Sequence, residues 1–267
     1  MALILSHNCT LKVWPDMIKI SQPGVGINHE PVPRGVVTIF SRAARKRMLE
    51  LVHQLEFEKL VFVTLTYPGA FPTDGRETKK HLRRFRARIE RKFGKLKVLW
   101  RLEFQKRGAP HFHLLLMDPP WIDKEWLSKT WYECVGSHDP KHLKRGTNIV
   151  GVARKGENKK VIAYVGKYIS KVDGKEREST NEWTGRYYGK WNYERPVPIE
   201  VELDPGQAIQ FVTGIVSDRR RNSPYDPRDY TRCSLFGGSV GSDIFSRECI
   251  RLAKEVRGTR KTGKLDS

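Results

Sequence analysis

The sequence predicts an α+β fold: one antiparallel sheet with helices packed mainly on one face. Three observations predict it. Between residues 60 and 171, strand-like and helix-like segments follow one another as strand, helix, hairpin, helix, strand, helix. The strand-like segments are short and rich in apolar or β-branched residues, and turn residues bound them. The main helix-like segment carries one apolar stripe, enough to cover one side of a sheet.

Residues 1 to 35 hold Pro15, Pro23, Gly24, Gly26, Pro31, Pro33 and Gly35. They read as a loosely organised arm with one strand. "SRAARKRMLELVHQLEFE", 41 to 58, reads as a helix with Ser41 as its N-cap and Leu49, Val52 and Leu55 as its stripe. "LVFVTLTYP", 60 to 68, is a central strand that stops at Pro68. Residues 73 to 94 form a helix that buries Leu82, Phe85, Ile89 and Phe93 and ends at Gly94. Its other faces carry Lys79, Lys80, Arg83, Arg84, Arg86, Arg88, Arg91 and Lys92.

"LKVLWRLEFQ", 96 to 105, and "HFHLLLM", 111 to 117, are two strands of a hairpin joined by "KRGAP". Asp123 caps a helix through 131, "TNIVGVARK" (147 to 155) is a short strand, and "NKKVIAYVGKYISK" (158 to 171) is a helix despite Gly166. Beyond 172 the pattern weakens into a polar, aromatic, loop-rich stretch with a short helix near 243 to 256. The expected organisation is therefore an arm and helix over 1–59, a core over 60–171 and an appendage over 172–267.

Charge bounds the partner. Fifty Lys and Arg stand against thirty Asp and Glu, a net charge of +20. A small acidic substrate does not call for that excess, whereas a polyanion does. Nucleic acid is the expected partner; an anionic membrane surface or plain solubility are the other readings. Cys9, Cys134, Cys233 and Cys249 form no Cys-x-x-Cys pair, which argues against a disulfide scaffold and fits a reducing compartment. The first residues have no basic run or cleavage site typical of a secretory leader, and no apolar run reaches 18 residues. The expected setting is the cytoplasm, with no membrane partner.

The run "HFH" carries the first chemical signal. Strand residues two apart share a face, so His111 and His113 project together and Phe112 turns away. Two imidazoles beside apolar positions need partners. A hairpin turning around Gly108 sets Glu103 opposite His113. Two imidazoles and a carboxylate suit Mg²⁺, Mn²⁺ or Zn²⁺. An ordinary hairpin with two hydrogen-bonded histidines has the same pattern.

In the helix 158 to 171, Tyr164 and Tyr168 are four apart and share a face, as do Lys167 and Lys171. A phenol, with a reference pKa of about 10, is a weak nucleophile until its proton is managed. A metal on the scissile phosphate and a nearby lysine both help the phenolate develop. The same tyrosine spacing also serves ordinary aromatic core contacts.

Taken in order, "FVTLTYP" (62 to 68), "HFH" (111 to 113) and "YVGKYISK" (164 to 171) resemble the three sequence blocks of the HUH endonucleases. The closest likeness is to two-tyrosine rolling-circle replication initiators of plasmids and small single-stranded DNA phages. The resemblance covers roughly residues 60 to 171. It implies a sheet of the ferredoxin-like kind, a divalent ion held by Glu103, His111 and His113, and Tyr164 and Tyr168 at the nucleophile positions with Lys167 between them. It further implies nicking and rejoining of single-stranded or supercoiled origin DNA through a 5′-phosphotyrosine, with Tyr164 favoured as the first nucleophile. A host polymerase and helicase are implied partners. Lys79, Lys80, Arg83, Arg84, Arg88 and Lys171 are the expected DNA contacts.

Thr64 and Thr66 alternate outward on the first strand and are read either as phosphate contacts or as ordinary strand threonines. Trp100 is read as core in preference to a base-stacking platform. Cys134, His138 and His142 have four-residue spacing but no fourth ligand, so a zinc site is not expected there. Gly258, Gly263 and Lys264 lack the Ser or Thr of a phosphate loop, since Leu265 follows. A transposase or conjugative relaxase would share the chemistry, and a non-catalytic nucleic-acid-binding protein would share the charge.

Overall fold

The computed structural model describes residues 8–14, 17–21, 39–155, 157, 184–208 and 232–236. The chain forms two units, one of residues 32–194 and one of residues 1–31 with 195–267. The tyrosine helix expected over 158 to 171 and the helix near 243 to 256 lie outside the described residues.

In the larger unit, five strands pair antiparallel: β3 (Lys59–Thr66), β4 (Lys97–Phe104), β5 (Pro110–Met117), β6 (Thr147–Arg154) and β7 (Tyr188–Trp191). Their order is β6-β3-β5-β4-β7. β3 and β5 are central and apolar on both faces, so both faces of the sheet must be covered. On one face Val63, Leu65, Phe112, Leu114 and Leu116 pack with Leu82, Phe85 and Ile89 of α2 (Gly75–Phe93) and Leu127 and Trp131 of α3 (Lys124–Val135). On the other, Leu60, Phe62, Leu99, Leu115 and Met117 pack with Met48, Leu51, Val52 and Leu55 of α1 (Arg42–His53). The fold is α+β, with α2 and α3 on one side and, among the described residues, α1 on the other.

The caps are those expected. Ser41 accepts from Ala44 N at 3.2 Å, Asp74 from Arg76 N at 2.7 Å and Asp123 from Trp126 N at 2.7 Å. Gly94 ends α2 at φ 79° and Gly136 ends α3 at φ 67°. Three boundaries move. α1 stops at His53, and its buried stripe is Met48, Leu51, Val52 and Leu55, with Leu49 only half-buried. α3 continues four residues past Trp131 because nothing before Gly136 breaks it. Asp139 and Pro140, read as a turn, cap and open a one-turn-and-a-half helix, α4 (Pro140–Arg145).

The aromatic stretch read as loop supplies the edge strand β7. Trp191, Tyr187 and Tyr193 are buried there, and the Tyr193 hydroxyl donates to the carbonyl of Gln54 at 2.6 Å. Trp100 is core, edge-on to Phe112 at 6.2 Å. Gly189 lies across from it on β7, where a Cβ would come within 2.7 Å of the indole.

The smaller unit holds a sheet that joins distant parts of the chain. Its order is β8 (Ile199–Leu203), β1 (Cys9–Trp14), β2 (Met17–Ser21), β9 (Arg232–Phe236), all antiparallel. The expected loose arm with one strand is thus two strands of a hairpin. Cys9, Leu11 and Val13 alternate inward, and Met17, Ile18 and Ile20 are buried beside them. The Trp14 indole N–H donates to the carbonyl of Pro196 at 2.9 Å. Local proline and glycine content concealed these strands, because their partner β8 lies far along the chain. Among the described residues, no helix is long and apolar enough to cross a membrane.

Candidate active site

The α1 face of the central sheet changes character along the strands. Across β3, β5 and β4 its rows read Leu60, Met117, Lys97; then Phe62, Leu115, Leu99; then Thr64, His113, Arg101; then Thr66, His111, Glu103. The apolar residues of the first two rows lie in the cluster that α1 covers. The last two rows are polar. Period-two alternation thus gathers two histidines, two threonines, an arginine and a glutamate at one end of one face.

Glu103 stands directly across from His111, whereas the expected register had it across from His113. The turn explains the two-residue shift. Gln105 and Ala109 close a three-residue loop, with Gly108 N donating to Gln105 O at 2.8 Å and Gly108 at φ 83°. The loop therefore centres on Arg107. A two-residue shift preserves the face, so Glu103 still reaches His113 diagonally. The His113 Nε2–H donates to Glu103 Oε2 at 2.9 Å. The rings of His111 and His113 are 4.5 Å apart, and His113 stacks on Phe62 at 5.2 Å.

His111 is held from the side. Its Nδ1 lies 3.0 Å from Thr66 Oγ1 and 3.4 Å from Gln105 Nε2. Thr66 is in turn pinned through its backbone. Its carbonyl accepts from the Trp131 indole N–H at 2.8 Å and from His142 Nε2 at 2.8 Å. Its N–H donates to the carbonyl of Gly146 at 2.7 Å. Burial holds His142 below the usual imidazole range, which favours the neutral ring. His142 is thus a structural donor, and burial among apolar side chains pushes the Cys134 thiol up to about 11. The rejected zinc cluster is absent among the described residues.

Gly146 closes this clamp. A Cβ there would sit 2.4 Å from His142 Cδ2. Gly146→Ala must push the His142 ring off Thr66, and an overpacking cost of about 1–3 kcal/mol is expected. Thermal unfolding measures it, and a variant as stable as the parent would show that the clamp yields.

The donors suit a divalent ion in kind: one carboxylate and two imidazoles on one face, within reach of one another. As they stand they bond to each other and to Thr66 and Gln105. Among the described residues no group of three His, Cys, Asp or Glu side chains is set as a coordination shell. An ion would take the place of the Glu103–His113 contact.

Arg101 escaped the sequence reading. It is 2% exposed, lies directly across from His113, and places its guanidinium 4.9 Å from the ring of Phe40. It brings a fixed positive charge to the site face. The signal was present in the alternation of Arg101 and Glu103 with Leu102 and Phe104.

The expected DNA contacts on α2 divide. Arg83 and Arg84 are exposed. Lys80 pairs with Glu77 and Arg88 with Glu133. Lys79 turns inward, 4.4 Å over the Trp100 ring, and donates to the carbonyl of Arg186 at 2.5 Å. Burial pushes its pKa down to about 7. Because α2 packs on the Phe112 side, none of these cations shares a sheet face with His111 and His113. Tyr164, Lys167, Tyr168 and Lys171 lie outside the described residues.

Residues 60–173 match the family model for the replication-associated protein ORF2 group. The stretch runs from β3 past β6 and includes the histidines and both Tyr164 and Tyr168. The chain is also similar to "Putative replication protein XF_b0001" of Xylella fastidiosa (strain 9a5c), with 29% identity over 195 residues. That alignment covers 66% of this chain and 64% of the relative, so the chain spans just under two thirds of the relative's length. No solved structure matches.

Proposed function

We propose that the protein is a replication initiator endonuclease that nicks and rejoins single-stranded origin DNA through a 5′-phosphotyrosine intermediate. The convergence of Glu103, His111 and His113 at the polar end of one sheet face carries the reading. The likeness of residues 60–173 to replication-associated proteins supports it. So does a net charge of +20, which favours a polyanionic partner.

Glu103, His111 and His113 would hold a divalent ion, Mg²⁺ or Mn²⁺ in preference to Zn²⁺. Bound there, the ion supplies Lewis-acid polarisation of a non-bridging phosphate oxygen. The phenolic oxygen of Tyr164, or of Tyr168, attacks phosphorus in line. The new bond joins tyrosine to the 5′-phosphate, and the bond from phosphorus to the 3′-oxygen breaks. Lys167 helps move the phenolic proton, and the departing 3′-oxygen gains one to become a free hydroxyl. That end can prime a polymerase. Rejoining reverses the exchange and needs no ATP, since a phosphodiester is kept throughout. Thr66 orients His111, and the exposed Arg83 and Arg84 add sequence-independent attraction to DNA.

The test is incubation with single-stranded origin oligonucleotides in Mn²⁺ or in EDTA, followed by a denaturing protein gel. A covalent adduct that forms with metal, fails in EDTA and disappears in Y164F/Y168F is the expected result. Tight binding with no adduct on any origin oligonucleotide would make this a non-catalytic DNA-binding protein. A phosphotyrosine on only one of the two tyrosines would identify the first nucleophile.

A further inference from the structure

The face of the sheet opposite the histidines carries its own charged groove. It runs between α2 and α3, has a volume of about 350 Å³, and is lined chiefly by Arg88, Arg91, Lys92, Trp126, Lys129 and Glu133. Helical spacing explains the lining: Arg88, Arg91 and Lys92 share one side of α2, and Trp126, Lys129 and Glu133 share one side of α3. Glu133, the one acid in the lining, is engaged by Arg88. That leaves Arg91, Lys92 and Lys129 as cations facing no acid of the groove. Arg91 and Lys129 reach solvent, Arg91 fully and Lys129 in part.

We propose that this groove is a second nucleic-acid site, which grips the phosphate backbone of duplex DNA flanking the nick. The inference rests on the function proposed above and adds to it a second DNA form.

Two observations separate this site from the one that receives the cut strand. The first is placement. Leu82, Phe85 and Ile89 anchor α2 on the side of Phe112 and Leu114, while His111 and His113 project to the other side. A sheet and its covering layer are each roughly 10 Å thick, so one short strand does not touch both sites. The second is chemistry. Trp126 is already engaged, with Phe93 perpendicular to it at 5.0 Å and Lys92 4.3 Å over its ring. Single-strand binding without sequence preference leans on stacking of bases against open aromatic rings. A groove of cations without a free aromatic platform binds phosphate instead. Duplex DNA suits it better, carrying one charge per about 1.7 Å against one per about 3.4 Å on each strand.

The experiment uses the full chain with Arg91→Glu and Lys129→Glu together, and separately with both changed to Gln. Circular dichroism and thermal unfolding check each fold. Affinity is measured against salt for two probes: the single-stranded nick region alone, and the same region attached to an origin duplex. On the duplex-bearing probe, the charge reversal is expected to cost roughly tenfold or more in affinity. It should also flatten the salt dependence by about 2 in logarithmic slope, at about 0.9 for each lost phosphate contact. The Gln pair is expected to show a smaller loss of the same kind. The single-stranded probe should change less than about twofold. Unchanged duplex affinity, or an equal loss on both probes, overturns the proposal. Failure of the wild-type protein to form an adduct would sink the endonuclease reading instead, and it would leave the difference between the probes standing as a property of the groove.

Discussion

Glu103→Ala is expected to lower the rate of adduct formation by at least about 100-fold while leaving the protein folded. Loss of an outer partner of a metal ligand alone typically costs about 10–100-fold, and Glu103 is placed as a ligand itself. Its carboxylate accepts a hydrogen bond from His113 Nε2 at 2.9 Å and stands directly across from His111. Glu103→Gln separates two roles. The amide oxygen keeps a hydrogen bond with His113 and a similar shape, but it has no charge for a divalent ion. If Glu103 serves only to orient His113, the glutamine variant should nick nearly as fast as the parent. If it holds metal, that variant should lose both nicking and Mn²⁺ affinity, the latter read by calorimetry without DNA. Full activity in both variants would remove Glu103 from the site.

Trp131→Ala is expected to be the most destabilising single change, at about 3–5 kcal/mol. Trp131 is fully buried and meets Tyr67, Phe85 and Phe112 edge-on at 5.2, 5.7 and 6.4 Å. Its N–H is also one of two side-chain donors to the Thr66 carbonyl. A loss of that size is a large share of the roughly 5–15 kcal/mol that keeps a domain folded. It should lower the midpoint of thermal unfolding by about 10 °C. Trp131→Phe keeps most of the ring and removes the N–H. It should cost about 1–3 kcal/mol, the penalty for weakening a buried hydrogen-bonded group, with His142 still holding Thr66. A loss below about 1 kcal/mol for the alanine variant would mean that the core collapses around the gap.

The two predictions link core and site. Trp131 and His142 reach Thr66 from the α2 and α3 side of the sheet, and the Thr66 hydroxyl reaches His111 on the α1 side. Packing on one face thus sets a hydrogen bond on the other. A sequence reading could name Thr66 as an outward strand residue. It had no means of finding the carbonyl clamp, because Trp131, His142 and Gly146 lie 65 to 80 positions further along the chain.

Several features were legible from the residues alone, each for a local reason. Ser41, Asp74 and Asp123 cap helices because a side-chain oxygen next to free backbone N–H groups needs no tertiary help. His111 and His113 share a face because a strand alternates with period two, whatever it pairs with. Leu82, Phe85 and Ile89 form a stripe because a helix turns about every 3.6 residues. Where the reading went astray, the information was not local. Residues 9–14 and 17–21 become strands through pairing with β8 and β9. Tyr187, Trp191 and Tyr193 become an edge strand and its flanks because β4 offers an unpaired side and the core offers them burial.

By itself, then, the sequence determined the fold class, the face on which Glu103, His111 and His113 lie, and the basic character of α2. Backbone period and charge content are properties of short stretches, and they survive any choice of partner. Tertiary structure alone decided that Glu103 faces His111, that Arg101 joins them, that Lys79 turns inward and that α2 sits across the sheet from the histidines. Those outcomes depend on which hairpin loop closes with least strain and which apolar stripe finds which sheet face. Both are settled by packing among residues far apart in the chain.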